Sequence, residues 1–187
     1  MSTSGRESSI RRYRALLSEV LGLDVSYVTY DGKGEKIRPN EFADLIRSSN
    51  CIGAAISKDI KASVVDYLDE VDDTANTVRS ANTIVKLPNG SLKGFNTDYI
   101  GFKIAIRQGI TESKQKISKV VVYGYGGVTN IVVAALCELN FDVYLCGRRL
   151  EEAKRRAEEL SAMYHGKIKR VNVKVWGKEM KMDMLVN

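Results

Sequence analysis

Covalent and metal staples are scarce in this chain of 187 residues. Its three cysteines, Cys51, Cys137 and Cys146, are odd in number, form no C-x-x-C pair and sit among apolar neighbours. That argues against a disulfide framework and against a thiolate metal site, and for small core side chains. No apolar run approaches the roughly 20 residues that span a bilayer. The polar start, MSTSGRESS, also lacks the apolar segment of a secretion signal, so a cytoplasmic setting is the default reading. Internal repeats and low-complexity tracts are absent. The two prolines, Pro39 and Pro88, fall where a helix starts and where a hairpin turns.

What is present suits a globular protein. Hydrophobic residues make up 44% of the chain, and the length allows one large or two small domains with a sizeable core. A net charge of +6 attracts anions, which points to nucleic acid or to phosphorylated small ligands. The basic residues are scattered over solvated helix faces such as 151–159, with modest clusters at 114–119 and 167–174. Without an aromatic and basic stacking surface, nucleic acid is the weaker of the two.

The chain is organised around residues 119–149, KVVVYGYGGVTNIVVAALCELNFDVYLCGRR. Val120, Val121 and Val122 form a β-branched run that suits a buried parallel strand, and Gly124, Gly126 and Gly127 follow at once. Val128, Val132, Ala135, Leu136 and Leu139 then recur at helical spacing, and 141–146 reads as a second strand. This βαβ pattern predicts a Rossmann-type unit. Its glycines let the backbone turn tightly and approach a pyrophosphate at the start of the helix. Thr129 stands where the third glycine of G-x-G-x-x-G belongs. After the second strand, where NAD-binding units carry an acidic residue, this chain has Gly147, Arg148 and Arg149. Two guanidinium groups there favour a 2′-phosphate, hence NADP.

Upstream, apolar spacing predicts a helix from Ser9 that Gly22 ends, a strand over 24–30, a helix from Pro39 carrying Phe42, Leu45 and Ile46, and a strand over 51–57. That alternation predicts a second α/β domain built on a βαβ pattern. The stretch SKDIK, 57–61, would leave its strand at the carboxyl end, where open α/β sheets place ligand groups, which makes Lys61 a candidate. Residues 66–73 are acidic. Strands over 81–86 and 91–95 flank the turn residues Pro88, Asn89 and Gly90. A helix follows, for which local physics nominates Thr97 or Asp98 as the N-cap.

In order along the chain these fragments resemble the shikimate dehydrogenase family, including its quinate-using relatives. Residues 53–61, GAAISKDIK, are similar to the family's G-x-N-V-T-x-P-x-K, and 78–83, VRSANT, to its I-G-A-V-N-T. The closer matches are GFNTD at 94–98, GYGG at 124–127, Arg148 in the place of the arginine of N-R-T, and DMLVN at 183–187 against D-L-V-I-N. The resemblance implies an N-terminal α/β substrate domain, 1–98, a linking helix and connector, 99–118, and an incomplete Rossmann-type NADP-binding domain, 119–187. It implies Lys61 and Asp98 as a catalytic pair brought together at an interdomain cleft, with Ser8, Ser57 and Asn82 as substrate contacts and no metal. Gly124, Gly126, Gly127, Val128, Arg148 and Arg149 would hold NADP.

The implied reaction moves a hydride between nicotinamide and the carbon bearing the C3 oxygen of shikimate, giving 3-dehydroshikimate, while Lys61 exchanges the proton and Asp98 orients it. The chain departs from the family pattern at Ala55, Asp59, Ile10 and Gly147, and elements present in the family are missing at either end. The expectation is thus a fragment or a shortened, diverged member that takes a small shikimate-like substrate, needs no nucleic acid or membrane, and has an unassigned oligomeric state. A dehydrogenase-like nucleotide-binding protein without turnover is the second reading.

Overall fold

The protein is described by a computed structural model over residues 15–24, 26–30, 36–56, 60–169, 171–177 and 180–187. It divides into two compact units, 1–96 and 97–187. Among the described residues, no helix is long and apolar enough to cross a membrane.

The first unit begins, in its described part, with a short wide helical turn over Ala15–Val20, which ends near Gly22 in the left-handed region at φ +62. The strand expected over 24–30 is not formed in the described residues, where Thr29 makes only an isolated bridge. Its apolar alternation is satisfied by packing instead, since the Tyr30 ring lies 5.7 Å from that of Phe42. Helix α1, Pro39–Ser48, opens with proline, whose missing amide costs nothing in a first turn, and buries Phe42, Ala43 and Ile46. Its last carbonyls are satisfied by Lys86 Nζ, which donates to those of Ile46, Arg47 and Ser49 at 3.2, 2.6 and 2.9 Å.

The unit's sheet combines β1 (Gly53–Ala55), β2 (Glu70–Val71), β3 (Thr83–Lys86) and β4 (Leu92–Phe95) in the order β1-β3-β4-β2. Strands β1, β3 and β4 are antiparallel, and only β2 pairs in parallel with β4. The expected βαβ arrangement is therefore replaced by a mixed sheet organised on the hairpin, whose tight turn uses Gly90 at φ +88. Helix α2, Asp73–Val78, follows β2 and is capped by the Asp72 carboxylate, which accepts from the Ala75 amide at 2.9 Å. Asp69 binds the Leu92 amide at 2.8 Å and pairs with Arg47 at 3.2 Å. These contacts, the amide first, hold its carboxyl below the usual range.

The second unit begins with α3, Thr97–Ser113, so the expected connector over 99–118 is mostly helix and is part of this unit. Strands β5 (Lys119–Tyr123), β6 (Asp142–Cys146), β7 (Val173–Val175) and β8 (Met184–Val186) pair in parallel in the order β7-β6-β5-β8. Counted within the unit, that order is 3-2-1-4, the half-sheet of a Rossmann fold, and it reverses beside β5. Helices α4 (Thr129–Glu138) and α5 (Leu150–Tyr164) follow β5 and β6. Val120, Val121 and Val122 are all buried, as expected for a strand covered on both faces. Tyr164, fully buried, donates to the Asn130 carbonyl at 2.8 Å and so ties the end of α5 to the first turn of α4.

Strand β8 is held at its entry by one carboxylate. Asp183 Oδ2 accepts from the Ser118 amide, the Lys119 amide and the Ser118 hydroxyl at 2.8, 2.8 and 3.0 Å. These bonds favour the ionised form and lower its pKa from the ordinary 3.8, the Lys119 amide contributing most. Because the folded value is depressed, this stabilisation is complete above the unfolded value and is lost as pH falls through the folded one. Acid titration followed by Trp176 fluorescence should therefore show wild type losing stability below pH 3.8 more steeply than Asp183→Asn. Equal slopes would remove this role from Asp183.

Candidate functional site

The turn after β5 combines two demands on the backbone. Gly124 sits at φ +109, which side-chain-bearing residues rarely adopt, and its amide donates to the Cys146 carbonyl at 2.8 Å, joining the carboxyl ends of β5 and β6. Thr129, at the third-glycine position, is buried, and its hydroxyl donates to the Gly124 carbonyl at 3.4 Å. Threonine there braces the turn by a hydrogen bond where glycine would act through close packing. A Cβ built on Gly126 or Gly127 meets nothing within 4 Å, so the backbone on that side is open to a ligand's approach. Val128 lies just before α4 and is 65% exposed.

Beside this turn lies a cleft of about 620 Å³, lined by Tyr123, Gly124, Tyr125, Gly126, Gly147, Arg148 and Arg149. Gly124, Gly126, Arg148 and Arg149 of the expected cofactor residues line it. Gly127 and Val128 belong to the same turn but not to the lining. Arg149 pairs with Glu152 at 2.7 Å, and the neighbouring Tyr125 hydroxyl first and Glu152 second raise its pKa. An open glycine backbone facing two guanidinium groups has the donor chemistry for a phosphorylated nucleotide.

In the first unit, Lys61 lies in a half-buried turn between buried Ile60 and the short helical turn Ser63–Tyr67. Its carbonyl accepts from the Ala81 amide at 2.8 Å, which fixes it beside the segment carrying Asn82. Asn82 is buried, and its side-chain oxygen accepts from the Thr83 hydroxyl at 3.0 Å. Its backbone joins Ile56 at 2.7 Å and Phe95 at 3.0 Å, so the turn after β1, the start of β3 and the end of β4 are held as one piece. Ser8 and Ser57 lie outside the described residues.

Asp98 is exposed in the first turn of α3, where a carboxylate favours the helix dipole. Helix α3 starts at Thr97, so neither Thr97 nor Asp98 precedes it, and Asn96 holds that position. Lys61 thus falls in the first unit and Asp98 in the second. The next residue, Tyr99, is buried and carries the Lys103 ammonium 5.1 Å from its ring centre, while Lys103 pairs with Glu138. Burial, more than the nearby Glu138 carboxylate, pushes the Tyr99 hydroxyl far above its ordinary value, so it stays protonated.

Two residues escaped the sequence reading. Asn96 is fully buried, donating from Nδ2 to the Ser80 carbonyl at 2.7 Å and from its amide to the Thr74 hydroxyl at 2.8 Å. Its place in GFNTD was the available signal. Tyr125 occupies the variable position of a glycine motif, which carries no sequence signal, yet it lines the cleft.

A family model described as the shikimate dehydrogenase substrate binding domain matches residues 8–84. The shikimate dehydrogenase (NADP(+)) of Ignicoccus hospitalis is 35% identical over 150 residues, covering 79% of this chain and 53% of that protein. The shikimate dehydrogenase (NADP(+)) of Methanocaldococcus jannaschii is 30% identical over 162 residues, covering 87% and 55%. Among solved structures, a shikimate 5-dehydrogenase-like protein aligns at a TM-score of 0.78 and 25% identity, over 98% of this chain and 62% of the other. A quinate dehydrogenase from Corynebacterium glutamicum in complex with NAD shares the fold, with a TM-score of 0.78 at 24% identity over 93% and 61%. The chain spans about half the length of the curated relatives it matches.

Proposed function

We propose that this chain, which belongs to the shikimate dehydrogenase family, holds NADP at the glycine turn after β5 and serves the interconversion of shikimate and 3-dehydroshikimate in the cytoplasm. The observation that carries this reading is the cleft in which Arg148 and Arg149 line the same wall as Gly124 and Gly126. Arg148 and Arg149 would take the 2′-phosphate, and the open backbone at Gly126 and Gly127 would lie along the pyrophosphate. Bound NADP would supply the hydride chemistry.

The remaining work falls to the chain's own side chains. Lys61 exchanges a proton with the substrate oxygen, Asp98 orients the ammonium, and Asn82 binds a substrate hydroxyl, as do Ser8 and Ser57. The anchoring of Lys61 through its own carbonyl to Ala81, next to Asn82, supports the pairing of these two roles. Quinate is the alternative substrate.

Absorbance at the reduced-nicotinamide band, with shikimate or quinate and NADP, tests the reaction directly. Calorimetry tests the cofactor: Arg148→Ala should weaken NADP about ten- to a hundredfold and NAD only slightly, because a charge-assisted contact to phosphate is worth roughly 1.5–3 kcal/mol. Equal weakening of both would overturn the assignment of Arg148. A second reading, nucleotide binding without turnover, is favoured by Ala55 and Ile10, which stand where the family carries the asparagine before V-T and the second substrate serine. NADP binding with no absorbance change for either substrate would select it.

A further inference from the structure

The glycine turn and the arginine wall of the cleft lead into two different helices. Helix α4 (Thr129–Glu138) begins just after Gly126 and Gly127, and α5 (Leu150–Tyr164) begins just after Arg148 and Arg149. A dinucleotide that lays its pyrophosphate along the turn and a ribose phosphate on the arginines must reach both, so its affinity depends on the spacing between the two helix starts. Strand pairing sets that spacing only as far as the Gly124 amide, which donates to the Cys146 carbonyl at 2.8 Å. Residues 148–150 lie past that bond and are exposed.

One residue bolts the two helices together. Asn130, in the first turn of α4, is bound twice by α5: Arg156 donates from Nη2 to its side-chain oxygen, and the Tyr164 hydroxyl donates to its carbonyl at 2.8 Å. The two donors stand about 12 Å apart along α5, so their convergence on one residue resists tilting as well as sliding. Tyr164 is fully buried and the Arg156 side chain is only 20% exposed. Arg156 also donates from Nη1 to Glu159 at 2.9 Å, which balances its charge within α5. Neither Asn130 nor Arg156 lines the cleft. The residue before Asn130, Thr129, binds the Gly124 carbonyl at 3.4 Å, so adjacent positions of one helical turn hold the glycine turn and α5.

We propose that Asn130 and Arg156 are positioning residues for cofactor selectivity: their contact fixes the spacing between the glycine turn and the arginine wall, so that the cleft favours a dinucleotide phosphorylated on the adenosine ribose. This rests on the nucleotide reading of the cleft. A second phosphate adds to affinity only where the geometry lets both phosphate sites be filled at once. Loosening α5 against α4 therefore removes from NADP a gain that NAD, without the ribose phosphate, never had.

Calorimetry with NADP and NAD on the whole chain tests it. Asn130→Ala and Arg156→Met, the latter keeping the apolar stem, should each weaken NADP about three- to tenfold and leave NAD within about twofold. The double variant should lose no more than either single one, because both remove the same contact. Asn130→Asp keeps the oxygen that Arg156 binds and should hold the ratio of the two affinities near that of wild type, a rescue that general loosening of the fold would not produce. If the single variants leave that ratio unchanged, by sparing both cofactors or by weakening them alike, the inference fails while the nucleotide reading stands. Additive losses in the double variant overturn it equally. If wild type binds neither cofactor, both fail together. Thermal melts of each variant separate a lost contact from a lost fold, and an Asn130→Ala chain that does not fold leaves Arg156→Met to decide.

Discussion

Lys61→Ala is expected to lower shikimate-dependent reduction of NADP about a hundredfold or more while leaving calorimetric affinity for NADP nearly unchanged. The separation follows from where the residues lie. Lys61 belongs to the first unit, whereas every residue lining the arginine cleft belongs to the second. A lysine that only binds substrate would raise KM and spare turnover, and one that transfers the proton would lower turnover at saturation. Lys61→Arg sharpens the distinction, because a guanidinium keeps the charge but does not release a proton near neutral pH. It should be about as slow as Lys61→Ala. Recovery of most activity in Lys61→Arg would make Lys61 a fixed charge, and a matched loss of NADP affinity in Lys61→Ala would move it out of the proton-transfer role.

Gly53→Ala should cost about 2–3 kcal/mol of stability, the upper part of the range for overpacked sites. A Cβ at Gly53 would stand 2.6 Å from the carbonyl oxygen of Ile84. That oxygen belongs to β3, which is bonded to β1 on one side and β4 on the other, so it cannot retreat without disturbing two ladders. Gly94 provides the contrast. Its Cβ would meet Leu68 Cδ1 at 2.4 Å, the tip of a side chain that can change rotamer, so Gly94→Ala should cost clearly less. In urea, the Gly53→Ala midpoint should fall with an unchanged slope. A shift equivalent to less than about 0.5 kcal/mol would show that the strand relaxes around the methyl group.

The second unit was the more legible in sequence, for a physical reason. Strands of a parallel sheet are covered on both faces, so Val120 to Val122 read as one apolar run, and the glycine turn and the arginines mark the two strand ends that face the cleft. The first unit was less so. A mixed sheet built on a hairpin leaves no such run, and the alternation over 24–30 resembles a strand because Tyr30 has an apolar role against Phe42 that needs no ladder. Periodicity also could not reveal that Arg156 and Tyr164 meet at Asn130, a relation between positions on different helices. The roles of Lys61 and Asp98 came from family resemblance, since an isolated lysine in a turn and an aspartate in a helix's first turn carry no distinguishing local pattern.

The seven residues of the arginine cleft all fall between Tyr123 and Arg149, whereas β8 joins β5 only through a long excursion of the chain. Val121 pairs with Tyr144 across 23 positions and with Leu185 across 64. On polymer grounds, closing the longer loop costs about 0.9 kcal/mol more than closing the shorter one. The strand, turn, helix and strand that form the cleft therefore have the entropic advantage during folding, and β8, which pairs with β5 and is pinned at its entry by Asp183, is suited to dock upon a surface already made. The lining of the cleft is local in sequence, while completion of the sheet beside it depends on a distant segment whose anchoring carboxylate makes it acid-sensitive.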